Sequence, residues 1–433
     1  MESVLRRIKR CIPQRLFVMI QPIYHYVLAY LGAILYRFPS RELTVIGVTG
    51  TKGKSTVTEI LTTILEADGN TVASLSTIKF KIGKTVEPNL FKMTMPGRFF
   101  VQRFMRRAVR AGCTHLVLEM TSEGAKQFRH KGIELDALIF TNLTPEHIES
   151  HGSFENYKQA KLKLARAVST SHKIPRYLVA NVDDEHGNDF LNYSVEQVLP
   201  YSLADVQNYS LHPDGVTLVI ENTTIRLPLV GLFNVYNALA AITMARALGV
   251  SLETIRDALK NMDVVHGRVE HFRSSPGAKK HLTVIVDYAH TPDSLKQLYE
   301  AFPDKAKVAV LGNTGGGRDT WKRPEMAHLA ETYCEHVFLT NEDPYDEDPG
   351  SILADMAAGV TQPNKLTVIM DRREAIRAAI QKVRPGGYVI VSGKGTDPYI
   401  MGPDGSKEPW SDAAVVSEEI ARYEAEHPPV QTE

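Results

Sequence analysis

Residues 43–56 read Leu-Thr-Val-Ile-Gly-Val-Thr-Gly-Thr-Lys-Gly-Lys-Ser-Thr, an apolar, β-branched run that breaks into glycines and then into Gly53-Lys54-Ser55. That order predicts a strand, a phosphate loop and a helix start. In the segment Gly50-Thr51-Lys52-Gly53-Lys54-Ser55-Thr56 the glycines let backbone N–H groups close around phosphate oxygens. Lys54 adds a point charge, and the Ser55 hydroxyl is placed to reach a phosphate-bound Mg²⁺. Val57, Ile60, Leu61, Ile64 and Leu65 then recur at helical spacing until Gly69, which predicts an amphipathic helix. A strict Walker motif has glycine where Val48 stands, so the loop is a shortened form. A glycine turn without ligand is the competing reading; the strand before and helix after favour a nucleoside triphosphate.

Working outward, 433 residues exceed one ordinary core and predict two or three domains. Lys+Arg and Asp+Glu both total 50, a balance that argues against nucleic acid or a strongly acidic partner. Cys11, Cys113 and Cys334 are odd in number and scattered without metal-ligand spacing, which predicts a reducing compartment and neither disulfide nor zinc framework. Leu16 to Tyr36 carries no Lys, Arg, Asp or Glu, yet Pro22, Gln21, His25 and four tyrosines interrupt it and basic residues flank both sides. Three readings stand for it: a helix packed on the body or a partner, an in-plane helix at a membrane surface, or a span.

Strands and helices alternate after the loop. Ala111–Met120, Leu135–Asn142 and Tyr177–Asp184 read as buried strands, and ligands of an open α/β sheet lie beyond the carboxyl ends of its strands. Glu119, Asn142, His147, Asn181 and Asp183 are therefore site candidates. Residues 208–228 switch to a period of two around Pro213-Asp214-Gly215, which predicts a β-hairpin. An alanine-rich helix, Asn234–Leu248, follows. From about residue 265 the alternation restarts, with strands at Leu282–Asp287, Lys307–Gly312, His336–Thr340, Leu366–Met370 and Tyr388–Ser392. The expected fold is α/β: a central P-loop ATPase-like domain with a mixed sheet (43–264) and a C-terminal Rossmann-like domain (265–433), preceded by a short apolar helical segment (1–42).

Read together, Gly50–Thr56, Phe140–His147, Tyr157–Lys161, Asn181–Asp184, Phe233–Asn237, Gly267–Glu270, Asp287–Asp293, Gly315–Asp319 and Gly393–Gly395 resemble the Mur ligase family, most of all its branch that adds the third residue of the peptidoglycan stem peptide. The resemblance runs from residue 43 to about 415. It implies a cytoplasmic, ATP-dependent ligase that phosphorylates a carboxylate of a muramoyl-peptide precursor. A free amino acid then attacks the acyl phosphate. It implies two Mg²⁺ ions, one on Ser55 and Glu119, the other on His147 and a Lys161 that CO₂ has carbamylated. Without the resemblance, Lys161 reads as a solvated helix lysine and His147 as a structural histidine. Asn237 is implied to read adenine, with Asn234 a helix N-cap or its neighbour in the site. Arg268 and Asp287 are implied to touch the nucleotide when the third domain closes, and His290 stands at the same strand end.

Two departures bear on the substrate. Members that add meso-diaminopimelate carry Asp-Asn-Pro-Arg where this chain has Glu342-Asp343-Pro344-Tyr345, and Tyr345 lacks the guanidinium fork that holds a carboxylate. Glu342 and Asp343 suit a side-chain amine instead, while Arg318 remains for the α-carboxylate and Asp397 for the incoming amino group. The family's small UDP-holding domain has only residues 1–42 as counterpart here. That suggests either another grip on UDP or a lipid-linked acceptor at the inner membrane face. A monomer is expected. The alternatives are a ligase of the same fold on a poly-amino-acid acceptor and a catalytically idle ATP-binding subunit.

Overall fold

The computed structural model describes residues 14–428 apart from Lys92, His147 and Arg318. Two compact units emerge: residues up to Thr144 with Ser153–Val206 and Tyr236–Ala258 form the first, and Pro145–Gly152, Gln207–Val235 and the chain from Leu259 form the second.

The first unit is built on an eight-stranded sheet. Its strands are β1 (Thr44–Thr49), β2 (Val72–Leu75), β3 (Lys79–Ile82), β4 (Thr85–Pro88), β5 (His115–Glu119), β6 (Ala137–Phe140), β7 (Tyr177–Asn181) and β8 (Gln197–Tyr201), in the order β4-β3-β2-β5-β1-β6-β7-β8. β2, β5, β1, β6, β7 and β8 run parallel, whereas β3 and β4 are antiparallel, so the sheet is mixed as expected. The β-branched runs are buried on both faces, the usual condition of parallel strands. Register aligns Val48 with Glu119 and Thr49 with Phe140, bringing the carboxyl ends of three strands to one edge.

The helix Gln14–Leu35 packs onto this unit. Ala29 and Ala33 are buried, and Gly32 sits so that a Cβ would lie 3.6 Å from Phe99. Among the described residues no helix is long and apolar enough to cross a membrane, which removes the span reading of Leu16–Tyr36. Cys113 and Cys334 are free and buried, while Cys11 lies outside the described residues.

In the second unit, residues 208–228 form three strands where a hairpin was expected: β9 (Asn208–His212), β10 (Gly215–Ile220) and β11 (Thr223–Leu227), paired antiparallel. The extra turn is Glu221-Asn222, both at positive φ, a tight turn without the glycine that usually signals one. The six-stranded sheet runs β12 (Glu270–Arg273), β13 (Thr283–Val286), β17 (Tyr388–Val391), β14 (Lys307–Leu311), β15 (His336–Leu339) and β16 (Leu366–Val368). All but β12 are parallel, with an apolar cluster on each face, as a Rossmann-like domain requires.

Candidate active site

The phosphate loop leaves β1 at Gly50 and enters the helix Lys54–Ala67 at Gly53. Gly53 has φ 82°, and a Cβ there would strike the Asn237 side-chain oxygen. Gly50 is as tightly placed: a Cβ would strike the Thr141 hydroxyl. A positive φ at each position (149° at Gly50, 82° at Gly53) and the close approach of these side chains together fix both glycines. Val57, Ile60, Leu61, Ile64 and Leu65 are all buried, which anchors the helix whose N-terminal N–H groups face the loop.

Ser55 Oγ donates to Glu119 Oε2 at 2.9 Å, joining the helix start to the end of β5. Glu119, 2% exposed, takes two further hydrogen bonds, from Thr77 N at 2.8 Å and from Thr77 Oγ1 at 3.0 Å. Thr77 in turn pairs with Thr94 Oγ1 at 2.7 Å. The carboxylate is thus held by donors on two strand-end loops. Sequence reasoning missed Thr77 and Thr94; Thr77 lies just past β2 and Thr94 in the segment after β4, strands it did not single out.

Lys161, on the helix Phe154–Ser169, is not a solvated lysine. It is 2% exposed, with Nζ donating to Gly50 O at 2.6 Å and lying 4.8 Å from the Tyr157 ring centroid. The Tyr157 hydroxyl meets Thr51 Oγ1 at 3.0 Å, so one helix contributes two side chains to the loop. Lys54 Nζ donates to Thr51 O at 2.8 Å. Asn142 braces the same loop: its Oδ1 accepts from Lys52 N at 2.9 Å and its Nδ2 donates to Lys52 O at 3.3 Å. Asn181 donates to Thr141 O, and Asp183 accepts from Tyr236 OH at 3.0 Å, which makes both supports of the strand-end loops. His147 lies outside the described residues.

In the second unit Asp287 caps its own loop, accepting from Val269 N at 2.8 Å and Ala289 N at 2.7 Å. Arg268 lies over the Tyr288 ring at 4.6 Å. His290 bridges Tyr288 O, at 2.7 Å from Nδ1, and Glu146 Oε1, at 2.9 Å from Nε2. Asn234 is no N-cap: the helix Leu232–Ala247 starts before it, and its Nδ2 donates back to Val230 O.

Around β15 the two acidic residues part company. Asp343 Oδ1 accepts from Lys394 Nζ at 2.8 Å and from Met401 N at 2.7 Å, a buried ion pair that already neutralises it. Glu342 accepts from Thr314 Oγ1 at 3.0 Å through Oε1, but its buried Oε2 finds no partner among the described residues. Burial pushes the Glu342 carboxyl above the usual range, against the pull of Arg372. Gly393 makes room for it, since a Cβ there would strike Oε2. Asp397 Oδ2 stands 3.8 Å from Lys394 Nζ, and Tyr345 holds φ 53° with its N–H on Met401 O. The Asp397 carboxylate, with burial second, raises the Tyr288 hydroxyl well above its ordinary value. Arg318 lies outside the described residues.

Residues 48–245 match the Mur ligase middle domain, and residues 267–395 match the Mur ligase, glutamate ligase domain. A relative from Bacillus cereus named UDP-N-acetylmuramoyl-L-alanyl-D-glutamate–2,6-diaminopimelate ligase is 36% identical over 386 residues, covering 86% of this chain and 77% of that one. A UDP-N-acetylmuramyl-tripeptide synthetase from Roseiflexus is 36% identical over 422 residues, 91% of this chain and 82% of its own. Among solved structures, a 2,6-diaminopimelate ligase of the same name as the first superposes with TM-score 0.59 at 29% identity, covering 88% of this chain and 78% of that one. Folylpolyglutamate synthase of Mycobacterium tuberculosis complexed with ADP shares the fold, with TM-score 0.67 at 17% identity over 85% of this chain and 92% of its own. The chain belongs to the Mur ligase family of ATP-dependent, amide-bond-forming ligases.

Proposed function

We propose that the protein adds an amino acid with a second amine to an acceptor of the UDP-N-acetylmuramoyl-L-alanyl-D-glutamate type. The observation that carries this reading is the junction of Ser55 with Glu119 at the mouth of the phosphate loop. In the reaction the γ-phosphoryl of ATP passes to the acceptor carboxylate, leaving ADP. The amine then attacks the acyl phosphate, expels inorganic phosphate and loses a proton. Loop N–H groups and Lys54 neutralise the negative charge that accumulates on the transferring phosphoryl group.

A hydroxyl and a carboxylate beside phosphates are what Mg²⁺ accepts, because it takes few protein ligands and completes its shell with phosphate oxygens and water. Ser55 and Glu119 would hold the first ion, which supplies charge neutralisation. His147 and a carbamylated Lys161 are proposed for the second; the buried Nζ of Lys161 beside Gly50 supports that role. Asn237, packed on Gly53, supports adenine reading, and nucleotide contacts are proposed for Arg268 and Asp287.

For the amino acid, Glu342 is the better match to a side-chain ammonium, because Asp343 already holds Lys394. Arg318, Asp397, His290 and Tyr345 complete the proposed amino-acid site. We also propose three segments, 1–42, 43–264 and 265–433, which limited proteolysis near residue 264 would reveal. A lipid-linked acceptor is the second reading. It is favoured by the exposed Ile23, Val27, Leu31 and Ile34 on the N-terminal helix, which suit the inner face of a membrane.

The test is phosphate release from ATP with Mg²⁺ and the UDP-linked acceptor, screening L-lysine, meso-diaminopimelate, ornithine and alanine. Turnover with lysine or ornithine supports the reading. Turnover with diaminopimelate alone would reassign Glu342. No turnover from protein that binds ATP would favour the lipid-linked acceptor.

A further inference from the structure

Away from the phosphate loop, the first unit contains a cavity of about 530 Å³ between the β3–β4 hairpin and the helix Arg98–Arg110. That volume lies within the range of small-molecule sites, about 300–1,000 Å³. Phe80, Phe91, Phe100 and Phe104 line it, with Phe80–Phe100 and Phe91–Phe100 ring centroids 5.2 and 5.1 Å apart. Phe91 is 51% exposed and its neighbour Leu90 is 50% exposed, so the apolar lining is open to solvent.

Two guanidinium groups, Arg103 and Arg107, share the lining. Arg107 reaches Glu87 at 3.2 Å, whereas the exposed Arg103 makes no ion pair or hydrogen bond among the described residues. At about 100° per residue the two arginines and Arg110 form one stripe of their helix. On one side of that stripe Phe100 and Phe104 enter the cavity. On the other, Phe99, Gln102 and Arg106 meet the N-terminal helix and the backbone that follows it. That helix exposes its own apolar row of Ile23, Val27, Leu31 and Ile34. A cationic stripe thus runs between two apolar surfaces.

We propose that the cavity binds the hydrocarbon chain of a phosphate-bearing amphiphile, with Arg103 and Arg107 on its phosphate. Charge complementarity and the lining select this occupant. Four phenyl rings solvate a chain, and guanidinium groups recognise phosphate oxygens. A nucleobase would need donors and acceptors, and among the described residues the lining offers, apart from the arginines, side-chain polar groups only from Thr85 and Glu87. The segment that follows the cavity wall also reaches the ligase site. Asn89 bonds Ser76 O and Met93 O, and Thr94, at the end of the same segment, bonds Thr77 beside Glu119.

Binding is measured directly, without turnover, so the proposal stands or falls independently of the ligase reading. The full chain is titrated calorimetrically with farnesyl phosphate, dodecyl phosphate, farnesol and UDP, each below any micelle threshold. One-to-one binding of the two phosphates is expected, at least tenfold weaker for farnesol, and at least tenfold weaker for the phosphates in Arg103→Glu and in Phe91→Asp. Both side chains are exposed, so the fold tolerates the changes. Tighter farnesyl than dodecyl phosphate marks an isoprenoid source; the reverse marks an acyl lipid. No binding of either phosphate overturns the proposal, as does binding that both variants leave unchanged. UDP binding lost in Arg103→Glu overturns it in favour of a nucleotide. A wild-type dimer that Phe91→Asp makes monomeric overturns it in favour of a second copy of the chain.

Discussion

Glu119 in the first unit and Glu342 in the second are both buried carboxylates near strand ends, yet their surroundings differ. Glu119 receives Ser55 and Thr77 on both oxygens. Glu342 receives Thr314 on one oxygen and nothing described on the other, and burial raises its pKa. The first site is organised before a ligand arrives, with its charge already met by fixed donors. The second keeps an acceptor in reserve, which costs stability until a cation pairs with it. Preorganisation suits phosphoryl transfer, where reorganisation is expensive; an incomplete shell suits selection of a substrate by what it brings.

The sharpest way to break this contrast is to remove the charge at the organised site. Lys54→Ala should reduce phosphate release by about 10³-fold, the loss expected for a positioned charge on the transferring group, with the fold retained in circular dichroism. A loss below tenfold would mean the loop is not the catalytic centre.

Asp343→Asn tests whether Asp343 serves structure and not the substrate. It takes the nearer carboxylate from the buried Lys394, leaving Asp397 at 3.8 Å, and should cost about 3 kcal/mol in denaturant melts, the low end for a broken buried pair. Wild-type stability with a lost amino-acid response would return Asp343 to the substrate site.

Glu342→Gln should act oppositely. The amino-acid KM should rise about tenfold to a hundredfold as a charge-assisted hydrogen bond is lost, while the fold is spared. The pH dependence carries a definite sign. A carboxyl raised above its ordinary value in the folded state contributes stability that is full below that ordinary value and is lost as pH rises through the raised one. Urea melts at stepped pH should show this decline in the wild type and a flatter profile in the variant; identical slopes would refute the assignment.

The smallest effect is expected from Thr94→Val, which removes the hydroxyl behind Thr77. About 1 kcal/mol of stability and a few-fold of turnover should go. An unchanged enzyme would show that Thr77 alone orients Glu119.

Much of this organisation was legible because it is local. The β-branched run, the glycines and the helical period in residues 43–65 state their own structure, and Glu119 ends a run that only a buried strand explains. What could not be read is non-local. The partner of Asp343 comes from Lys394, 51 positions away, and Lys161 meets Gly50 across 111 positions. Asn142 looked like a ligand-facing strand end, yet both its amide atoms go to Lys52. The third strand of the small sheet escaped notice because Glu221-Asn222 adopts a turn that sequence habit reserves for glycine.

The wall of the aromatic cavity carries one more consequence. β4 is the outermost strand of its sheet, all four of its residues are exposed, and the last is Pro88, which has no N–H to donate. A margin that short, ending in an imino acid, gives an approaching strand almost no ladder to extend. The phenylalanine-rich mouth can therefore stand beside this edge without the edge offering a template for sheet-to-sheet polymerisation.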